Sequence, residues 1–342
     1  MATSALVPEI LREYGDAARG VMASYLTPRE PRRYLYDLVA DYPLRGGRAF
    51  RPSLCIATAR AFGASVEDAV LTAASIEMLH NALLVHDDIE DESDVRRGRP
   101  TLHVAEGLSL ALNAGDMLAM TSLRPLLDNR RRLGLRLSMR LLEETERMAV
   151  ESAEGQALEL GWRRDNARDV TESDYLEMVL KKTCWLGMIH PARTGALIGT
   201  DDDVDLDAFV RFGFFLGAAF QIQDDLLNLT GDATAYGKEL GGDIYEGKRT
   251  LMLIRLLEQC DGDERERVFA LLGQRRAARE IAEVRFTRER MDHYGCIDYA
   301  REVAHGLAGA AQHECEAIVS RLPSSRDRDF LGELATWVIE RS

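Results

Sequence analysis

Two stretches decide the fold: VEDAVLTAASIEMLHNALLVHDDIED, residues 66–91, and FVRFGFFLGAAFQIQDDLLNL, residues 209–229. In both, apolar residues recur at the three-to-four spacing of an α-helix. Each is apolar nearly all round, which suits a helix at the centre of a large bundle. Each also runs into paired aspartates, and the second reads as a central helix ending at Asp225. Carboxylates at the end of a central helix are costly unless something neutralises them.

Working outward, the same spacing continues in ILREYGDAARGVMASYL from Ile10. Period-two runs of Val, Ile and Thr are absent, so no strands are predicted. Breaks fall at 43–47, 97–100, 163–171, 199–207 and 231–247, and none has the composition of a domain linker. The pattern predicts one all-α domain over residues 1–342, a bundle of about ten helices.

The 342 residues carry a net charge of −14, which disfavours nucleic acid as a partner because the phosphate backbone is repelled. With 46% hydrophobic and 29% charged residues, the composition is that of an ordinary globular protein rather than a disordered one. The start, MATSALVPEILREYGD, has no basic segment followed by an apolar one, so no secretory signal is expected. The nearest approach to a membrane span, Phe209 to Ile222, contains Arg211, so none is expected. Five scattered cysteines without a CxxC suit a reducing compartment and argue against disulfides or zinc. The expectation is a soluble, cytoplasmic protein.

The first acidic cluster is DDIEDESD, residues 87–94, six acids in eight positions. On a helix Asp87 and Asp91 are separated by roughly 40°, and His80 lies on the same stripe two turns back. A solvated acidic face is one account of such a run. The apolar ALLV directly upstream favours the other, a metal site at the edge of a core. The second cluster, Gln221, Asp224, Asp225 and Asn228, repeats the design at four-residue spacing. Oxygen-only clusters suit Mg²⁺, which takes carboxylates together with water and substrate phosphate. Basic residues stand nearby: Arg48 and Arg51 beside Gly46–Gly47, Arg96 and Arg97, Lys181 and Lys182 before Thr183, and Lys238 and Lys248. Each alone reads as a surface charge; together they read as phosphate ligands.

From about Gly46 to Thr250 the chain resembles the trans-isoprenyl diphosphate synthases, in pattern most like the geranylgeranyl diphosphate synthases. The resemblance rests on GGRAFRP, HNALLVHDDIEDESDVRRGRPT, EGQALEL, KKT, FQIQDD and GKELGGDIYEGKRT, in family order. It implies the isoprenoid-synthase helical bundle, with two aspartate-rich metal clusters facing a central cavity, usually as a homodimer. It also implies condensation of isopentenyl diphosphate with an allylic diphosphate, dependent on about three Mg²⁺ ions. By the same resemblance, Asp87 and Asp91 bind two of these ions with Asp88 in support. Asp224 holds the third, with Asp225 and Asn228 acting partly through water. Arg96, Lys182 and Lys238, with Lys248 nearby, grip the allylic diphosphate. Arg48, Arg51, His80 and Arg97 bind that of isopentenyl diphosphate, and Thr183 and Gln221 set oxygen dipoles beside the allylic cation.

Three positions depart from the family pattern: Arg48 for lysine, Asn228 for aspartate and Glu159 for aspartate. Product length is expected to be read along Ala82, Leu83, Leu79 and Ile76, residues that equally suit plain core. Short-chain members of the family often carry an aromatic residue four or five positions before the first aspartate; Ala82 and Leu83 stand there instead, which implies geranylgeranyl diphosphate, bounded by the farnesyl and geranylfarnesyl lengths. Two rivals share the fold. A class I terpene cyclase needs no second diphosphate site, and a non-catalytic subunit of a two-component synthase typically loses the aspartates. GDIYEGKRT, from Gly242, nearly spells a phosphate loop, but Arg249 takes the Ser/Thr position and no strand precedes it. DDDVDLD at 201–207 lacks the glycine and glutamate of a calcium loop.

Overall fold

The computed structural model describes residues 5–230 and 241–340; Lys238 lies outside them. The chain is all-α: α1 Leu6–Tyr25, α2 Asp37–Leu44, α3 Phe50–Ala61, α4 Val66–Glu90, α5 Leu102–Glu106, α6 Leu108–Asp128, α7 Gly134–Arg164, α8 Glu172–Val179, α9 His190–Thr200 and α10 Asp207–Thr230. After the undescribed stretch come α11 Gly242–Glu246, α12 Leu251–Gln259, α13 Gly262–Leu272, α14 Ile281–His293, α15 Cys296–Val319 and α16 Arg326–Glu340. The described residues thus hold more helices than the ten expected, because short ones such as α5 and α11 are too brief for periodicity to register.

Two other expectations are corrected. A two-residue antiparallel pair, Val95–Arg96 with Arg99–Pro100, is closed by Arg97 and Gly98, both at positive φ. Such a tight hairpin is invisible to a search for alternating strands. The second helix does not end at Asp225 but runs on to Thr230.

Ser65 starts α4 with a reciprocal cap: its hydroxyl accepts from the Asp68 N–H, and Asp68 accepts from the Ser65 N–H. The helix ends at Glu90, so Asp91 stands at its C-terminus. Helix α4 packs on α3 and α6, and α10 packs on α15 and on a ten-residue π-helical segment, Leu180–Ile189. Each central helix serves two cores. Ala69, Ala73 and Ile76 of α4 join one cluster, while Ala74, Met78, Ala82 and Val85 join another. Phe209, Phe212 and Leu216 of α10 join the first; Ile222, Leu226 and Leu229 join a third. By length and composition α4 is apolar enough to cross a membrane, but most of that stretch is buried inside the fold. All five cysteines are buried and unpaired.

The π segment is a widened turn of the kind often found at functional sites. It is gripped from both sides by glycines. On α10, a Cβ at Gly213 would crowd Ile189, and one at Gly217 would crowd Cys184. On α7, a Cβ at Gly155 would overlap the Lys182 backbone nitrogen.

Behind this segment His190 is fully buried, with its Nε2 3.1 Å from Thr145 Oγ1. Arg193 and Glu144 form a buried bidentate pair beside it, at 2.6 and 2.8 Å. Burial, opposed by Glu144 and helped by Arg193, pushes the His190 ring down to about 4. Burial likewise holds His80 at about 4. Both values lie below that of an unfolded histidine, so between the two the unfolded chain binds more protons. Stability therefore rises with pH across that window. The urea midpoint is expected to fall from about pH 6.5 towards pH 4, and His190→Gln to flatten that slope. A midpoint unchanged between about pH 7 and pH 5 contradicts the assignment.

Candidate active site

A cavity of about 600 Å³ opens between the C-terminal half of α4, α7, the π segment and α10. Asp87 lines one wall; Asp224, Asp225 and Asp243 line the other, with Arg51, Arg96, Lys182 and Lys248 between them.

On the first wall, adjacent carboxylates have different roles. Asp88 is fully buried and saturated. Tyr42 donates to its Oδ2 at 2.5 Å, and Arg96 Nε reaches both oxygens at 2.7 and 2.8 Å. It holds Arg96 in place rather than facing the cavity. Asp87 is 26% exposed and meets Arg96 at 3.3 Å and Lys182 at 3.6 Å. Burial and Asp91 push its carboxyl up, but Lys182, Lys248 and Arg96 outweigh them and the net shift is downward. Asp91 is nearly buried, with Oδ1 taken by Arg163 at 2.5 Å and Oδ2 by Lys248 at 3.1 Å. Those cations, with Lys182, overcome the burial penalty and hold it ionised.

On the second wall, Gln221 and Asp225 are joined, as their four-residue spacing requires. Gln221 Nε2 donates to Asp225 at 2.7 Å, and its Oε1 accepts from the Thr183 hydroxyl at 2.9 Å. Asp225 also accepts from Tyr175 at 2.9 Å. Burial first, and Asp243 second, push its carboxyl well up. Asn228 points elsewhere. Its Oδ1 accepts the Asp243 N–H at 3.1 Å and its carbonyl accepts the Gly241 N–H at 2.8 Å. It clamps the turn that presents Asp243, and it is absent from the cavity lining.

Lys182 bridges Glu159 at 2.8 Å and Asp87, so Glu159 fills its position with the charge an aspartate would bring. Lys248 reaches Asp91, Asp243 and Glu246. Arg51 and His80 also line the cavity, and Arg51 Nε is buried without a hydrogen-bond partner. An orphan buried donor of this kind calls for an anion. Burial lowers the Arg51 guanidinium, partly offset by Glu77 and Asp224. Arg97 donates to the Tyr42 carbonyl at 3.3 Å and to Asn81 at 3.4 Å, while Arg48 is exposed.

The apolar lining includes Leu79, Leu83, Leu84, Ala149, Ala153, Leu186 and Phe220. Ala82 and Ile76 are not part of it; both are packed into cores. Sequence reasoning missed Asp243, Arg163, Tyr175 and Tyr42. The first lay inside a motif already quoted, and Arg163 stands four residues beyond Glu159 on the same helical face.

Among the described residues no three carboxylate, histidine or cysteine groups form a ready-made cation cage. The facing donors are all oxygen, which fits Mg²⁺ held by one or two carboxylates and completed by substrate phosphate.

Known proteins resemble this chain along nearly its whole length. A geranylgeranyl pyrophosphate synthase of Geoglobus acetivorans is 35% identical, with 98% of this chain and 99% of the relative aligned. The crystal structure of a geranylgeranyl pyrophosphate synthetase from Pyrococcus horikoshii superposes with a TM-score of 0.85 at 32% identity, covering 98% and 99%. A Caulobacter crescentus polyprenyl synthase, solved with calcium and isoprenyl diphosphate, gives 0.84 at 27% identity, covering 100% and 99%. Other curated relatives carry names from short-chain through geranylfarnesyl to nonaprenyl diphosphate synthase. The family model described as polyprenyl synthetase matches residues 33–287, and the chain belongs to that family.

Proposed function

We propose that this chain condenses isopentenyl diphosphate head-to-tail with an allylic diphosphate, giving geranylgeranyl diphosphate and releasing diphosphate. The observation behind this reading is the cavity, with aspartates on two facing walls, basic residues between them and an apolar floor. Asp87, Asp91 and Asp224 would hold Mg²⁺, about three ions by the family resemblance, whose charge would stabilise the departing diphosphate. Arg96, Lys182 and Lys248 grip the same group, and Asp88 and Tyr42 hold Arg96 for that task. Arg51, with its unpartnered Nε, and His80 take the diphosphate of the second substrate, with Arg97 and Arg48 at its margin. A second anion site of this kind favours condensation over cyclisation. Thr183 and Gln221 turn oxygen dipoles towards the allylic cation, and no protein nucleophile is needed because the two carbons are held in register. The released diphosphate accepts the final proton.

The assembly is read as a homodimer. Leu108, Leu112 and Met120 on α6 and Leu135 on α7 are large apolar residues left exposed, and exposed apolar surface of this kind supports a protein interface.

The test is to incubate the protein with Mg²⁺, labelled isopentenyl diphosphate and farnesyl diphosphate, and to size the products. No elongated prenyl diphosphate from any allylic primer would sink the reading. Because Leu83 lines the cavity and Ala82 does not, Leu83→Phe is expected to shorten the product. An unchanged length distribution in that variant removes Leu83 from the elongation path.

A further inference from the structure

We propose that Arg163 is a built-in counter-ion of Asp91, which makes metal binding at that carboxylate conditional on the arrival of a diphosphate. The inference rests on the site reading above and deepens it.

Gln156, Glu159 and Arg163 occupy one face of the last turns of α7, and each is fastened to a charged or polar partner at the cavity. Gln156 meets Glu90 at 2.5 Å, Glu159 meets Lys182 at 2.8 Å, and Arg163 meets Asp91 Oδ1 at 2.5 Å. With Lys248 on Oδ2, both oxygens of Asp91 already face cations. Asp87 is more open and touched only at longer range. The protein therefore neutralises Asp91 by itself.

A divalent ion on Asp91 would lie within a few ångströms of the Arg163 guanidinium. In a site with little water that repulsion is poorly screened. Lys248 can withdraw to Glu246 and Asp243, which it already contacts. Among the described residues Arg163 makes one further hydrogen bond, to the Glu90 carbonyl at 3.5 Å, and has Glu159 and Glu246 as more distant acidic neighbours. Retreat from Asp91 would bring it towards other cations. Arg249 and Arg279 stand near enough that both are pushed down to about 10, Arg249 by burial, Arg279 and Arg163, and Arg279 by burial, Arg163 and Arg276. A diphosphate oxygen in the cavity beside it, which Glu90, Glu159 and Lys248 line, suits the planar fork of a guanidinium.

The test uses Mn²⁺ as the metal probe and inorganic pyrophosphate as the anion, following Mn²⁺ binding by electron paramagnetic resonance with the full-length protein. Without pyrophosphate, Arg163→Gln is expected to bind Mn²⁺ about fivefold tighter than the parent, and pyrophosphate to add less to its affinity. Arg163→Lys should stay near the parent. Unchanged or weaker Mn²⁺ binding in a folded Arg163→Gln overturns the proposal. The parent protein alone also decides it should that variant not fold, because equal Mn²⁺ affinity with and without pyrophosphate is equally fatal. A protein that shows this coupling but makes no prenyl product loses the proposed reaction and keeps this inference. Turnover with unchanged Mn²⁺ affinity in Arg163→Gln does the reverse.

Discussion

Asp87→Ala is expected to reduce kcat by about 10³-fold or more, with the fold intact. Asp87 lines the cavity and is far more open than Asp88 or Asp91, and its two cationic contacts, Arg96 at 3.3 Å and Lys182 at 3.6 Å, are long ones. Removing it withdraws negative charge from a place where two cations are already aimed, so the metal loses its anchor while the cations remain. Charge that develops on the leaving group then meets fewer counter-charges at the moment it needs them. Asp88→Asn gives the contrast. Its carboxylate is consumed by Tyr42 and Arg96, so its loss should act by loosening Arg96 and raise KM for the allylic substrate more than it lowers kcat. The measurement is steady-state kinetics on both variants, with circular dichroism as the check on folding. A near-parental kcat for Asp87→Ala refutes the metal assignment.

The contrast between neighbours shows what a sequence can and cannot carry. The two central helices are legible because their apolar spacing is long and regular, and the aspartates are conspicuous because they interrupt it. Which aspartate faces the cavity is another matter. Asp87 and Asp88 are one residue apart, so about 100° of helix rotation separates a cavity-facing group from one turned towards Tyr42. The same rotation separates Leu83, in the lining, from Ala82, in the core. Asn228 repeats the four-residue spacing that joins Asp87 to Asp91, yet it is spent on the backbone of Gly241 and Asp243. No local pattern announces a turn that folds back from beyond the helix. Arg163 was within reach of pattern reasoning, since it extends the face of Gln156 and Glu159. Its partner, 72 positions away in the chain, was not.

Gly155→Ala carries the second large effect, and its sign is opposite to what helix propensity suggests. In a helix interior Gly→Ala ordinarily stabilises by about 1 kcal/mol. At this position the added methyl would overlap the Lys182 backbone nitrogen and stand 2.8 Å from Lys181 Cβ and from Lys182 Cα. Backbone cannot step aside as a flexible side chain can. Nor is there space behind it, because the far side of the π segment is pressed against α10 at Gly213 and Gly217. Either α7 shifts or the π turn rewinds, and both move Lys182 away from Glu159 and Asp87 and take Thr183 from Gln221. The expected cost is about 1–3 kcal/mol in stability, the range for overpacking a tight contact. The expected loss in kcat is about 10²-fold, the scale on which misplaced catalytic groups act. Gly161→Ala, on the same helix with nothing within 4 Å of its Cβ, is the internal control and should stabilise slightly with kcat unchanged. Urea midpoints and kcat for the pair decide the matter. If Gly155→Ala behaves like Gly161→Ala, the close approach of α7 to the π segment does not set the position of Lys182.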